Sequence, residues 1–136
     1  MKTQVVTIKQ TVTIPASPKE VYNAFVDPKI HSEFTEAKAT GKPVVGGKFT
    51  AWDGYIQGKF KELEDSKRLV QEWITVDWEE GYGASTLELC FKAVPAGTEI
   101  TMVHSNVPQA QEEELSEGWY ESYWNPLKEY FENKKK

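Results

Sequence analysis

The sequence has a single cysteine and no long apolar segment. Cys90 has no second cysteine with which to form an internal disulfide, as is typical of proteins from reducing compartments. The first ten residues, MKTQVVTIKQ, lack the apolar stretch that a secretory signal requires. No apolar run elsewhere approaches the length of roughly 20 residues that crosses a bilayer. We therefore expect a cytoplasmic protein that does not insert into membranes.

Basic side chains are few relative to acidic ones. The chain has 16 lysines and arginines against 21 aspartates and glutamates, so its formal net charge at pH 7 is −5. A negative net charge repels the phosphate groups of nucleic acids and of anionic membrane surfaces, so we expect no nucleic-acid partner. The acid pairs Glu62/Glu64 and Glu79/Glu80 lie at predicted strand ends and hairpins. We interpret them as solvated charges rather than as acid-base pairs.

Residues that carry catalytic or metal chemistry are scarce and form no known arrangement. The two histidines, His31 and His104, are far apart in the sequence, and neither lies in a metal-ligand motif. Gly46-Gly47 precedes a predicted strand rather than a helix and lacks the Lys-Ser/Thr pair that completes a phosphate-binding loop, so we predict turn glycines. Cys90 has no identifiable histidine partner and is interpreted as an inert thiol. We therefore predict no catalytic residue, no metal site and no cofactor.

The first part of the chain combines strand and helix signals. Residues 3 to 14 alternate apolar and polar side chains and are rich in threonine and valine, which predicts a half-buried strand. Ser17 and Glu20 have the spacing of a helix capping box, and Pro18 suits the first helical position. Asp27-Pro28 offers a second helix start. One strand followed by two short helices is therefore predicted.

The middle of the chain has the turn signals of successive hairpins. Residues 87 to 91 alternate apolar with polar side chains, which is typical of an antiparallel sheet with one solvated face. Residues 69 to 78 are apolar on both parities, so either both faces are partly covered or one face is exposed for a partner. Breaks between residues 41 and 107 imply about six strands. These breaks are Gly46-Gly47, Asp53-Gly54, Asp65-Ser66-Lys67, Glu80-Gly81 and Pro95-Ala96-Gly97.

The end of the chain is predicted to be one long amphipathic helix. Trp119 lies in the middle of its apolar stripe and follows Gly118, whose missing side chain would allow close approach to the sheet. We therefore predict that Trp119 is the central core anchor of the helix. Pro126 lacks an amide donor and would clash with the carbonyl of Ser122, which predicts a kink or break between these residues. The stripe consists of Leu115, Trp119, Tyr123, Leu127 and Tyr130.

The predicted order of elements resembles that of the helix-grip superfamily, which is also called SRPBCC or Bet v 1/START-like. This resemblance implies a single α+β domain over residues 1–136, with a curved antiparallel sheet of about seven strands wrapped around a long C-terminal helix. Further motifs narrow the resemblance: Ile14-Pro15-Ala16-Ser17-Pro18, Gly46-Gly47-Lys48-Phe49, Asp53-Gly54, Gly58, Arg68-Leu69-Val70, Trp73 and the segment from residue 107 to 124. Together they resemble the C-terminal domain of the activators of the ATPase of heat shock protein 90.

The narrower resemblance implies a non-enzymatic binding domain with a co-chaperone-like or stress-related role. Its implied partner is a chaperone of the heat shock protein 90 type. The eukaryotic co-chaperones carry a separate N-terminal domain that supplies much of the chaperone contact. Because linked modules gain avidity that a lone module lacks, we expect weak binding and little activation from this domain alone.

Two alternatives come from other functional classes. The first is a carrier of a small apolar ligand, because related helix-grip domains often leave a cavity between the sheet and the last helix. The second, ranked last, is a cyclase- or hydrolase-type enzyme on the same fold. The aromatic residues fit either a filled core or the lining of such a cavity. The resemblance predicts a lining that includes Phe49, Trp73, Phe91, Met102, Trp119 and Tyr123.

Overall fold

The computed structural model describes residues 4–78 and 82–134. One seven-stranded sheet, two short helices after the first strand and a long C-terminal helical segment confirm the predicted α+β helix-grip architecture. The predicted turn at Glu80-Gly81 and the acid pair Glu79/Glu80 lie outside the described residues. The elements are β1 (Val5–Ile14), α1 (Pro18–Val26), α2 (Pro28–Thr35), β2 (Thr40–Gly41), β3 (Lys48–Ala51), β4 (Ile56–Glu64), β5 (Arg68–Thr75), β6 (Ser85–Val94), β7 (Gly97–Pro108), a 3-10 turn (Gln109–Gln111), α3 (Glu112–Trp119), a π-helical turn (Tyr120–Trp124) and α4 (Asn125–Lys134).

The two short helices begin at their predicted capping residues. The Ser17 hydroxyl accepts a hydrogen bond from the backbone N–H of Glu20 at 3.3 Å, and the Glu20 carboxylate accepts one from the backbone N–H of Ser17 at 3.1 Å. This reciprocal pair is a complete capping box. The Asp27 carboxylate caps α2 by accepting from the backbone N–H of Lys29 at 2.9 Å. Helix α1 then packs on β6 and β7, where Phe25 is buried.

The sheet is antiparallel, and its strands lie in the order β1-β7-β6-β5-β4-β3-β2. Strands β2 to β7 are the six strands that the turn signals predict, and each pairs with the next along the chain. The first strand, β1, pairs with the last, β7. Register shifts at Val6/Ile8 in β1 and at Phe60/Glu62 in β4 indicate bulges, which bend strands locally.

Tertiary packing decides the orientation of β5, which periodicity leaves open. Leu69 and Trp73 are buried together with the polar residues at positions 71 and 75, so the odd-numbered side chains point into the core. On the other face, Val70 is also buried, because it lies between Glu62 and Glu88 of the neighbouring strands. Val76, just after the strand, is exposed. The first predicted alternative, partial cover on both faces, therefore holds for the strand itself, and a partner role for the exposed Val76 stays a prediction.

The predicted interruption of the C-terminal helix is a π-helical turn and not a break. The backbone N–H of Asn125 donates to the carbonyl of Tyr120, five residues back, and the helix continues as α4 to Lys134. Pro126 follows immediately and cannot use the α-helical acceptor at Ser122, because proline has no N–H. A π-helical turn, whose donors reach one residue further back, accommodates such a residue within a continuous helix.

The π-helical turn also changes which residues the helical segment buries. The extra residue in the turn shifts the apolar stripe, so Trp124 is 0% exposed and Phe131 is 5% exposed. The predicted stripe includes neither of them, although they lie three residues before and four residues after Leu127. Leu115 and Tyr130, at the two ends of the predicted stripe, are only partly buried. None of the helices in the described ranges is long and apolar enough to span a bilayer.

Candidate functional site

A groove of about 520 Å³ opens between the C-terminal helical segment and the strands β4 and β5, and we call it the helix groove. Its volume falls within the range of roughly 300–1,000 Å³ that is common for small-molecule sites. One wall comes from the connection between β3 and β4 and from β5, and the other from α3 and the π-helical turn. The lining residues are Trp52, Tyr55, Ile56, Trp73, Glu114, Leu115, Glu117, Gly118, Trp119, Glu121, Ser122 and Tyr123.

Aromatic rings in tilted contact form the floor of the helix groove. The ring centroid of Trp119 lies 5.8 Å from that of Trp73 and 4.9 Å from that of Tyr123. All three side chains are buried. Their neighbour Trp52 meets Tyr123 edge-on at 6.4 Å. Aromatic contacts at these distances add to the apolar burial, so the floor is a packed surface.

A buried polar chain lies behind the floor and holds Trp119 in place. The Trp119 indole N–H donates to Nδ1 of His104 at 3.2 Å, so Nδ1 is the acceptor and the imidazole proton is on Nε2. Nε2 in turn lies 2.7 Å from the Ser85 hydroxyl, which donates to the carbonyl of Trp73 at 2.6 Å. Burial lowers the pKa of His104 to about 3. The imidazole is therefore neutral at pH 7 and serves as a structural link between β7, β6 and α3.

A second buried histidine supports Tyr123. His31 Nε2 lies 3.1 Å from the Tyr123 hydroxyl. Burial lowers the pKa of His31 to about 4, and a hydrogen bond to the backbone of Phe25 partly opposes that shift. Burial also raises the pKa of Tyr123. Both groups are thus uncharged at pH 7, and the sequence alone, which places His31 far from Tyr123, offers no signal for this pair.

Gln10 holds the C-terminal helical segment on the sheet through two hydrogen bonds. The Gln10 side-chain amide, on β1, donates to the backbone carbonyl of Ser116 at 2.9 Å. Its oxygen accepts from the Trp124 indole N–H at 2.7 Å. One polar side chain therefore anchors both α3 and the π-helical turn to β1, a role that its position in an alternating strand does not reveal.

The rim of the helix groove is acidic. Glu114, Glu117 and Glu121 are exposed side chains of α3 and the π-helical turn. On the opposite rim, the Tyr55 hydroxyl donates to the carboxylate of Asp77 at 2.8 and 2.9 Å. Hydrogen bonds from Thr75 and then from Tyr55 lower the pKa of Asp77, so this carboxylate is charged at neutral pH.

The structure brings together half of the six predicted lining residues. Trp73, Trp119 and Tyr123 line the helix groove. The other three are buried in the core: Phe49 packs on Phe60 at 5.3 Å, Phe91 packs on Tyr22 at 5.8 Å, and Met102 is fully buried. A ligand role for the groove residues stays a prediction.

Two features of the groove differ from what sequence reasoning indicates. Trp52 and Tyr55 flank the Asp53-Gly54 turn and line the groove. Sequence periodicity does not predict this role, because turn residues follow no strand or helix period. Gly118 also lines the groove, and a Cβ atom built there meets nothing within 4 Å. The prediction that Gly118 allows close approach to the sheet is therefore wrong, although Trp119 is buried as predicted.

The remaining reactive groups are accounted for by their surroundings. Burial raises the pKa of the Cys90 thiol, and the charge of Glu88 raises it further, which is consistent with an inert thiol. Glu62 and Glu64 are exposed and both pair with Arg68. In the parts of the chain that the structure covers, no three or more His, Cys, Asp or Glu side chains cluster as metal ligands would.

Comparison with known proteins gives consistent matches. Residues 15–132 match the family described as Activator of Hsp90 ATPase homolog 1-like protein. The chain is 34% identical over 126 residues to the Homo sapiens activator of 90 kDa heat shock protein ATPase homolog 1, with 93% of this chain and 36% of the human protein covered. Identity to the Dictyostelium discoideum homolog is 29% over 126 residues, with 92% and 33% covered. The chain thus spans about a third of the length of the curated relatives it matches.

One solved structure matches this chain over nearly the whole length of both chains. The crystal structure of an Hsp90 activator from Plasmodium falciparum matches with a TM-score of 0.82 at 25% identity, and the match covers 92% of this chain and 95% of that chain. This match and the family match confirm the predicted resemblance to the activators.

Proposed function

Because the chain belongs to the family of Activator of Hsp90 ATPase homolog 1-like proteins, we propose that it is a non-catalytic, co-chaperone-like binding domain whose partner is an Hsp90-type chaperone. The observation that carries this proposal is the extent of the family match. It runs from residue 15 to residue 132 and takes in both short helices, the strands β2 to β7 and almost all of the C-terminal helical segment. The proposal includes a cytoplasmic location.

The proposed partner-binding face is the mouth of the helix groove. Tyr55 is exposed there, and its backbone carbonyl accepts a hydrogen bond from the N–H of Val76 at 2.9 Å, which places the two residues side by side. Val76 is 65% exposed. Exposed tyrosine and apolar side chains beside a groove with a polar rim match the composition of transient protein interfaces. The acidic rim favours a partner surface with basic side chains.

The lengths of the relatives bear on how strongly this domain binds. The human relative is nearly three times as long as the matched region, so its activity belongs to a larger protein. The Plasmodium falciparum activator is matched over 95% of its chain, which supports binding by a unit of this size. Tested by itself, this domain binds without avidity from a second attachment point, so the proposal is weak, saturable binding with modest stimulation of ATP turnover.

The test is titration of the full chain into the Hsp90-type chaperone of the same host, by calorimetry and by ATP turnover. Val76→Lys replaces an apolar side chain at the groove mouth with a positive charge, which repels a basic partner surface, and is expected to weaken binding by roughly tenfold or more. Val45→Lys is the matched control, because Val45 is 66% exposed on the connection between β2 and β3. Equal losses in the two variants would contradict the proposed face. No binding of the wild type at high micromolar concentration would contradict the partner class itself.

A further inference from the structure

The helix groove combines indole surface with negative charge and has no basic side chain in its lining. None of its lining residues within the described part of the chain is Lys, Arg or His. In the same described part, its glutamates form no salt bridge. The charge of the rim is therefore not neutralised locally. The indoles and carboxylates belong to Trp52, Trp73, Trp119, Glu114, Glu117 and Glu121.

The turn that carries Trp52 is held in an unfavourable conformation. Trp52, Asp53 and Gly54 have φ angles of 53°, 57° and 91° in succession, and the first two are not glycines. The turn is tied down because the Asp53 N–H donates to the carbonyl of Lys38 at 2.9 Å and the Lys38 N–H donates to the Asp53 carboxylate at 3.0 Å. These hydrogen bonds hold the partly buried Trp52 ring at the edge of the groove, where it meets Tyr123 edge-on. Backbone strain of this kind persists where the surrounding structure fixes it, and it is common at ligand sites.

We propose that the helix groove is a binding site for organic cations, meaning a protonated amine or guanidine attached to an apolar body. The apolar body packs on the floor of Trp73 and Trp119, and the cation lies between the indole faces and the carboxylates of Glu114 and Glu117. Indole faces attract cations through the ring quadrupole, and carboxylates attract them through charge. The same carboxylates repel fatty acids, which carry a negative charge on a similar apolar body.

The size of the expected preference follows from these contacts. An exposed carboxylate strengthens the binding of a cation by a factor of roughly 1.4 to 5 because solvent screens the pair. A cation over an indole face adds a factor of roughly 2 at an exposed site and more where water is excluded. Two carboxylates and one indole face together predict a preference of about tenfold for a cation over a neutral molecule of the same shape.

The experiment uses three probes that share one apolar body: 4-phenylbutylamine, 4-phenylbutanol and 4-phenylbutyrate. Each is titrated into the full chain at pH 7 and low salt, by calorimetry and by tryptophan fluorescence. No chaperone is present, so failure here and failure of the proposed function are separate results. We expect the amine to bind about tenfold more tightly than the alcohol and the carboxylate to bind most weakly.

A pair of double variants locates the effect. Glu114→Gln with Glu117→Gln removes two groove carboxylates at an i,i+3 spacing and is expected to reduce amine affinity roughly fivefold while leaving alcohol affinity unchanged. Glu129→Gln with Glu132→Gln removes two exposed carboxylates at the same spacing in α4, outside the groove, and changes the net charge equally. The control is expected to bind the amine like the wild type. Equal losses in both variants, equal affinities for all three probes, or tightest binding of the carboxylate would each overturn the proposal.

Discussion

The two ends of the C-terminal helical segment meet the rest of the protein in different ways. Helix α4 packs against α2 and β1, and its Leu127 and Phe131 are buried. Helix α3 buries Trp119 alone among its residues and leaves the helix groove open beside it. The π-helical turn between them contributes Tyr123 and Trp124 to the core. The comparison shows that one continuous helix supplies stability at its α4 end and accessible surface at its α3 end.

The difference has a physical cause in the way each end is attached. The α4 end is held by apolar side chains that enter the core, and such burial contributes roughly 1.5–3 kcal/mol per large side chain. The α3 end is held mainly by Trp119 and by the hydrogen bond from Gln10 to the carbonyl of Ser116. A polar anchor fixes position without filling the space next to it, so a groove can remain where α3 passes over β5.

The largest expected effect is at Trp119, the buried residue of the α3 end. Trp119→Ala removes the floor of the helix groove and leaves Nδ1 of His104 without its donor. We expect a loss of about 3–5 kcal/mol in the free energy of unfolding, measured by urea denaturation with circular dichroism. A loss below about 1 kcal/mol would show that the α3 end contributes little to the core.

Two leucines in the same helical segment test the comparison directly. Leu127 is fully buried in α4, and Leu115 is partly buried in α3 at the groove. Leu127→Ala is expected to destabilise the protein by about 2–4 kcal/mol because it leaves a cavity. Leu115→Ala is expected to cost less than about 1 kcal/mol, because water can fill the space. Similar losses for the two variants in urea denaturation would contradict a difference between the two ends.

The two buried histidines predict that the free energy of unfolding decreases as the pH falls. Folding holds the pKa of His31 at about 4 and that of His104 at about 3, against an ordinary value of 6.5. The unfolded chain therefore takes up protons first as the pH falls below about 6.5, and stability is lost until the pH reaches the folded values. At pH 5.5 the loss relative to neutral pH is about 1.4 kcal/mol per histidine.

The measurement is urea denaturation between pH 7.5 and 5.5, a window above the ordinary range of carboxylate titration. His31→Gln is expected to remove roughly half of the pH dependence, because one of the two titrating groups is gone. A wild-type stability that does not change across this window would show that the imidazoles are accessible to protons in the folded state.

The smallest expected effect is at Gly118, on the open side of the comparison. A Cβ atom there meets nothing within 4 Å, and the residue lies within α3. Gly118→Ala is expected to stabilise the protein by about 0.5–1 kcal/mol, because alanine loses less backbone entropy in a helix. The added methyl group narrows the groove, so binding of 4-phenylbutylamine is expected to weaken at the same time. Destabilisation would instead support the close helix-to-sheet contact that the sequence predicts.

Local patterns were sufficient to predict most of the fold. The capping box at Ser17 and the aspartate cap at Asp27 place the two helix starts, because caps depend on residues only two or three positions apart. Turn residues divide the six strands β2 to β7, because hairpin turns require particular backbone conformations. Pro126 marks the irregular part of the last helix, because proline lacks the backbone N–H that a regular α-helix uses.

The candidate site was predictable only in part. Trp119 and Tyr123 follow from helix periodicity together with the resemblance to a known architecture, and Trp73 follows from that resemblance alone. Trp52 and Tyr55 come from a turn, where no period applies. The neutral state of His104 depends on its burial, and its tautomer depends on a donor fifteen residues further along the chain and on Ser85 in the adjacent strand. Such contacts have no local signature.

The sequence by itself determined the order and the ends of the elements, because caps, turns and alternation act over a few residues. Its motifs also indicated the family to which the chain belongs. Only the tertiary structure decided which side of β5 faces the core, how the π-helical turn brings Trp124 inward, and which aromatic residues are core and which line a groove. These outcomes depend on the relative placement of α3 and the sheet. That placement is set by contacts between distant residues, such as Gln10 with Ser116 and Trp124, which no local pattern encodes.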